Sequence, residues 1–112
     1  MEKLLELKKK EYFSLEEWEI RGLQISNDAV IQKMRLLTEN YLDGLLGLVN
    51  KSGKLSNSNI NKLISALEDK FFPHLDTEER EWCSDIFTEI LEEIGFDQLN
   101  IIELINQRYN DS

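Results

Sequence analysis

The sequence predicts an all-α protein: a single-domain antiparallel helical bundle of four main helices, preceded by short N-terminal helical segments. Only one Pro and five Gly occur in 112 residues, which is too few for the turns of a strand-rich fold. Apolar residues recur every three or four positions, and no stretch alternates with the two-residue period of a strand. Because 112 residues suffice for one core, residues 1–112 are expected to form one domain.

The N-terminal residues 1–25 are predicted to form a helical arm that packs on the bundle. A weak helix is expected over residues 2–11. Ser14 and Glu17 have the spacing of a capping box, which predicts a second short helix. Gly22 is a suitable residue to end that helix.

The bundle core is predicted over residues 28–110. Its longest helix is expected over about 28–49, where Gly44 and Gly47 either weaken the last turns or let another helix approach closely. The next three helices are expected to run from Ser58 to Phe72, from Asp76 to Gly95, and from Asp97 onwards. Asp76 and Glu79 have the spacing of a capping box, and Gly95 is a suitable residue to end the same helix. The apolar residues of the last predicted helix are Leu99, Ile101, Ile102, Leu104, Ile105 and Tyr109.

The sequence contains no recognisable set of catalytic or metal-binding residues. His74 and Cys83 are the only histidine and cysteine, so a zinc site lacks ligands. Cys83 falls on an apolar helix face, where a buried, inert thiol is expected, and no phosphate-binding glycine loop occurs. We therefore expect no enzyme activity, cofactor or metal. With one cysteine and no apolar segment of membrane-spanning length, a cytoplasmic protein is expected.

The net charge of −9 is concentrated at one end of the sequence. Residues 1–70 hold eleven basic and eleven acidic side chains, whereas residues 71–112 hold two and eleven. At 100° per residue, one side of the helix after Asp76 collects most of these acids. We call these six residues the acidic stripe: Glu78, Glu81, Asp85, Glu89, Glu92 and Glu93.

Two interpretations of the acidic stripe are open. It is either a solvated face that maintains solubility or a docking face for a basic partner protein. Trp82, at the border between the stripe and the apolar face, is either an interface anchor or a core residue. No basic patch is large enough for direct binding of nucleic acid.

Two stretches resemble a family of small bacterial all-helical proteins of unknown function. They are Asp76-Thr77-Glu78-Glu79-Arg80-Glu81, followed by an amphipathic helix that ends at Ile94-Gly95, and the segment from Trp18 to Ile25. This resemblance implies an all-helical fold and supplies no catalytic residue. In size, acidity and helical content the chain is also similar to bacterial immunity proteins, which bind and block a toxin.

Together these observations predict a small, acidic, cytosolic protein-binding module that inhibits a basic partner in the manner of an immunity protein. The alternatives are a phage-type inhibitor that mimics nucleic acid, and a structural or regulatory helical protein. The candidate partner-binding residues are the acidic stripe and Trp82. The partner's identity and the oligomeric state stay open.

Overall fold

The computed structural model describes residues 2–110 and is helical throughout, with no strand in that range. The all-α prediction is therefore confirmed. A single 3₁₀ turn, Phe72–His74, separates the fourth and fifth helices. The six helices are α1 (Glu2–Leu7), α2 (Leu15–Ile20), α3 (Asp28–Ser52), α4 (Asn57–Phe71), α5 (Thr77–Glu93) and α6 (Gln98–Asn110).

The ends of α5 follow the capping chemistry expected from the sequence. The backbone N–H of Glu79 donates to the Asp76 carboxylate at 2.8 Å, and the Glu79 side chain accepts from the Asp76 N–H at 2.8 Å. This reciprocal pair satisfies two backbone donors that a helix start otherwise leaves unbonded. Gly95 follows the helix with φ of +79°, a conformation that favours glycine. The predicted capping box and C-terminal glycine are both confirmed.

The connection between α3 and α4 is shorter than predicted. Ser56 caps α4, since its hydroxyl accepts from the Asn59 N–H at 3.3 Å, so the prediction of Ser58 as the cap is wrong. Helix α3 also continues to Ser52 and is capped by Gly53, which has a φ of +77°. Several serines and asparagines in this stretch are equally good caps, so local chemistry does not select among them.

The core is formed by residues from all six helices. Helix α3 packs on α1, α4 and α5, and α6 packs on α4 and α5. At Gly44 the helices α3 and α4 approach closely, because a Cβ there would lie 2.5 Å from Cδ1 of Leu63. At Gly47 no atom lies within 4 Å of the same position. The predicted close approach is therefore confirmed for Gly44 only.

Helix α6 is apolar on two sides, but only one of them is covered. Ile101 and Leu104 are buried, whereas Leu99 and Ile102 are 72% and 46% exposed. Leu99 and Ile102 lie outside the core, because α4 and α5 cover only the side of α6 that carries Ile101 and Leu104. The side chain of Tyr109 lies outside the part of the chain that the structure describes.

Within residues 2–110, no helix is both long enough and apolar enough to cross a bilayer.

Candidate functional site

The acidic stripe of α5 has two flanks with different surroundings. On the inner flank, basic side chains of the N-terminal segment form ion pairs with three carboxylates. Arg21 Nη2 lies 2.8 Å from Asp85 Oδ2. The two other pairs are Lys10 Nζ with Glu89 Oε1 at 3.5 Å and Lys3 Nζ with Glu93 Oε2 at 3.6 Å.

These inner-flank pairs neutralise charge more than they stabilise the fold. The side chain of Asp85 is 63% exposed, and those of Glu89 and Glu93 are 49% and 39% exposed. Exposed ion pairs contribute about 0–1 kcal/mol each, and salt screens them. Their main effect is that half of the stripe already has a basic partner within the same chain.

Trp82 lies in the core beneath the N-terminal segment. It is 3% exposed, and its ring lies edge-on to Trp18 and Phe13, with centroid distances of 4.7 and 5.1 Å. The guanidinium of Arg21 covers the same ring at 5.0 Å. Of the two interpretations left open by the sequence, the structure favours core packing, and Trp82 is not available at the surface as an anchor.

We call the other three residues of the stripe, Glu78, Glu81 and Glu92, the outer flank. Glu81 and Glu92 lie beside Ile105 of α6, and Glu78 lies in the first turn of α5. All three are exposed, and none forms an ion pair within 4.0 Å among residues 2–110. Arg21 borders the same shallow depression as Glu78 and Glu81, but its ion pair is with Asp85. The outer flank therefore retains charge that the inner flank has lost.

The two basic residues of the acidic C-terminal region are engaged elsewhere. Arg80 Nε donates to the carbonyl oxygen of Phe72 at 2.9 Å, which satisfies a carbonyl at the end of α4. Arg108 forms an ion pair with Glu68 and also donates to Ser65 Oγ at 3.3 Å. Both Arg80 and Arg108 thus hold helices together.

A groove of about 280 Å³ lies beside the outer flank, between α4, α5 and α6. Its base is apolar, and Glu81, Ser84 and Thr88 of α5 line one edge. The ion pair of Glu68 and Arg108 lies among its other lining residues. The apolar lining residues are Ile64, Phe72, Phe87, Leu91, Ile101, Leu104 and Ile105.

Cys83 and His74, the only cysteine and histidine of the sequence, lie in different surroundings. Cys83 is fully buried, and burial, with a smaller contribution from Glu79, raises the pKa of its thiol to about 12. A thiol with that pKa stays protonated at neutral pH and is a poor nucleophile. His74 is exposed in the 3₁₀ turn. Within the described residues, no three His, Cys, Asp or Glu side chains are arranged to hold a metal ion.

Sequence reasoning missed two features of this region. The first is the pairing of Lys3, Lys10 and Arg21 with the stripe. Residues 1–25 hold five basic and six acidic side chains, so their composition gave no signal for this pairing. The second is the groove, for which no signal exists, because its apolar residues are indistinguishable from core residues in the sequence.

Comparison with known proteins gives one informative match. A family model described as a domain of unknown function (DUF4844) matches residues 1–104. No curated protein and no solved structure matches the chain.

Proposed function

The chain belongs to the DUF4844 family, a domain of unknown function, and we propose that it is a protein-binding module whose outer flank docks a basic partner protein. The partner surface would carry lysines or arginines that face Glu78, Glu81 and Glu92. In this proposal the chain acts as an inhibitor of the immunity-protein type, in the cytoplasm, and uses no catalytic residue.

The observation that carries the proposal is the contrast between the two flanks of the stripe. Asp85, Glu89 and Glu93 each have a basic partner in the N-terminal segment, whereas the outer-flank residues have none among the described residues. Glu81 and Glu92 are eleven residues apart, about 16 Å along a helix. Uncompensated charge over that length attracts a basic surface and speeds its association.

The helix arrangement supports a rigid display of this flank. We propose that α3, α4, α5 and α6 form an antiparallel bundle, because each of them contacts two of the other three. In such a bundle α5 is fixed along its length by its neighbours. A carboxylate row on a fixed helix loses little conformational freedom on binding.

The experiment is a comparison of two charge-matched variants as bait in the source cell lysate. The first carries Glu78→Lys, Glu81→Lys and Glu92→Lys. The control carries Glu16→Lys, Glu19→Lys and Asp69→Lys, three exposed acids without ion pairs in the described range. Captured proteins are identified by mass spectrometry, and their affinity for each bait is measured by calorimetry.

We expect the wild type and the control to capture a basic protein, and the outer-flank variant not to capture it. We also expect this binding to weaken at high salt. Equal capture by both variants would exclude the outer flank as the docking surface. Circular dichroism checks that both variants stay helical. If the captured protein binds DNA or RNA and the chain competes for that site, the nucleic-acid mimic is the better description.

A further inference from the structure

We propose that the groove between α4, α5 and α6 receives apolar side chains of the basic partner, so that the recognised element is a cationic amphipathic segment. This inference rests on the proposed function and specifies what the partner presents. Its basis is the position of the groove, which Glu81 of the outer flank lines directly and which shares three lining residues with a depression that Glu92 lines.

The groove has the dimensions of a site for side chains. Its volume of about 280 Å³ is just below the roughly 300–1,000 Å³ of small-molecule pockets, and it accommodates one or two large apolar groups. Its base is formed by side chains such as Leu91, Ile101 and Ile105. Filling it with an apolar group would remove this surface from water, which is the main source of binding energy at protein interfaces.

Exposed apolar residues also lie on the uncovered side of α6, next to the groove. Ile105 lines the groove, Ile102 lies one turn before it, and Leu99 lies one further turn before that. Ile102 and Leu99 are 46% and 72% exposed. A partner segment longer than the groove would therefore also cover exposed apolar side chains of α6.

The charge at the edge of the groove selects the occupant. Glu81 is part of the lining, and Glu92 lines a depression that shares Ser84, Thr88 and Ile105 with the groove. The other two carboxylates of that depression, Asp85 and Glu89, are already paired with Arg21 and Lys10. An apolar segment flanked by lysine or arginine satisfies both surfaces. A second copy of this chain does not, because it would bring two acidic edges together.

The test uses three synthetic probes and fluorescence anisotropy. The first is an 18-residue amphipathic peptide of leucine and lysine. The second has the same composition in a scrambled order without an apolar face, and the third is oligolysine of equal charge. We expect the amphipathic peptide to bind wild type about tenfold more tightly than the scrambled one, which corresponds to the burial of about one leucine.

The variants fill the groove without changing its charge. Ser84→Phe and Thr88→Phe each place a ring in it from a half-buried position on α5. The control is Ser58→Phe, at an exposed position of α4 outside the groove lining. We expect the filled variants to lose the tenfold preference while binding oligolysine as wild type does. Two variants are used so that one can still test the inference if the other does not fold.

Several results would overturn the inference. If the scrambled peptide binds as tightly as the amphipathic one, or if both filled variants keep the preference, the groove does not bind the apolar side chains. Binding of oligolysine would still support the acidic outer flank as a docking surface. If no cationic probe binds, the proposed function fails as well. A stable dimer in sedimentation equilibrium that Ser84→Phe disrupts would assign the groove to a second copy.

Discussion

Arg21 Nη2 lies 2.8 Å from Asp85 Oδ2, although 64 residues separate them in the sequence. The same guanidinium lies 5.0 Å from the ring centroid of Trp82. One side chain of the N-terminal segment therefore neutralises a carboxylate of the acidic stripe and covers the indole ring beside it. On the surface of α5, the carboxylates near the N-terminal segment are thus paired with its basic side chains, and the remaining ones form no ion pair within the described chain.

The burial of Trp82 predicts a large effect on stability. Replacing a buried tryptophan by alanine removes its apolar contacts and leaves a cavity, at a cost of about 3–5 kcal/mol. We expect Trp82→Ala to lower the free energy of unfolding by this amount in urea titrations, and Trp82→Phe to lower it less. A loss below about 1 kcal/mol would mean that Trp82 is a surface residue after all.

The ion pair of Arg21 and Asp85 predicts a small effect that depends on salt. Asp85→Asn should lower the free energy of unfolding by less than about 1 kcal/mol at low ionic strength, because the pair is exposed. In 1 M NaCl the difference from wild type should vanish. Glu81→Gln is the control, since Glu81 has no ion pair among the described residues, and it should not lower stability in either buffer.

Burial of Cys83 predicts a loss of stability at alkaline pH. Its pKa rises from 9.0 to about 12 on folding, so above pH 9 the unfolded chain releases the thiol proton and the folded chain retains it. The stabilising contribution is complete below pH 9 and is lost as the pH rises towards 12. Burial raises the pKa of Tyr12 from 10.0 to about 12, which acts in the same direction.

Urea titrations between pH 8 and 11 test the contribution of Cys83. In Cys83→Ala, the decline of unfolding free energy above pH 9 should be shallower than in wild type. In native wild type at pH 8, the thiol should react with Ellman's reagent only as fast as the chain unfolds. Rapid labelling of the folded protein would contradict the burial.

The two glycines of α3 predict opposite responses to alanine. At Gly47 a Cβ meets no atom within 4 Å, so Gly47→Ala should raise the free energy of unfolding by about 0.5–1 kcal/mol. At Gly44 a Cβ would lie 2.5 Å from Leu63 Cδ1, so the Leu63 side chain must move and Gly44→Ala should be less stable than Gly47→Ala. Thermal melts of both variants measure the difference, and equal gains would contradict the close approach.

Features that depend on neighbouring residues along the chain could be predicted from the sequence. The capping box of Asp76 and Glu79, the terminating Gly95 and the all-α class are of this kind, since each follows from backbone chemistry within one or two turns. The α4 cap was misplaced by two residues because the serines at 56 and 58 offer the same chemistry. Local signals decide that a helix begins, but they do not choose between equivalent caps.

The sequence by itself determined the helices and placed six carboxylates on one side of α5, because a period of 3.6 residues depends on order alone. Only the tertiary structure decided which of them form ion pairs with other described residues. That depends on where Lys3, Lys10 and Arg21 come to lie, since each is separated from its carboxylate partner by 64 or more positions in the sequence. The same holds for Trp82, Leu99 and Ile102, since apolar periodicity marks a face that can be buried, and only packing against a neighbouring element buries it.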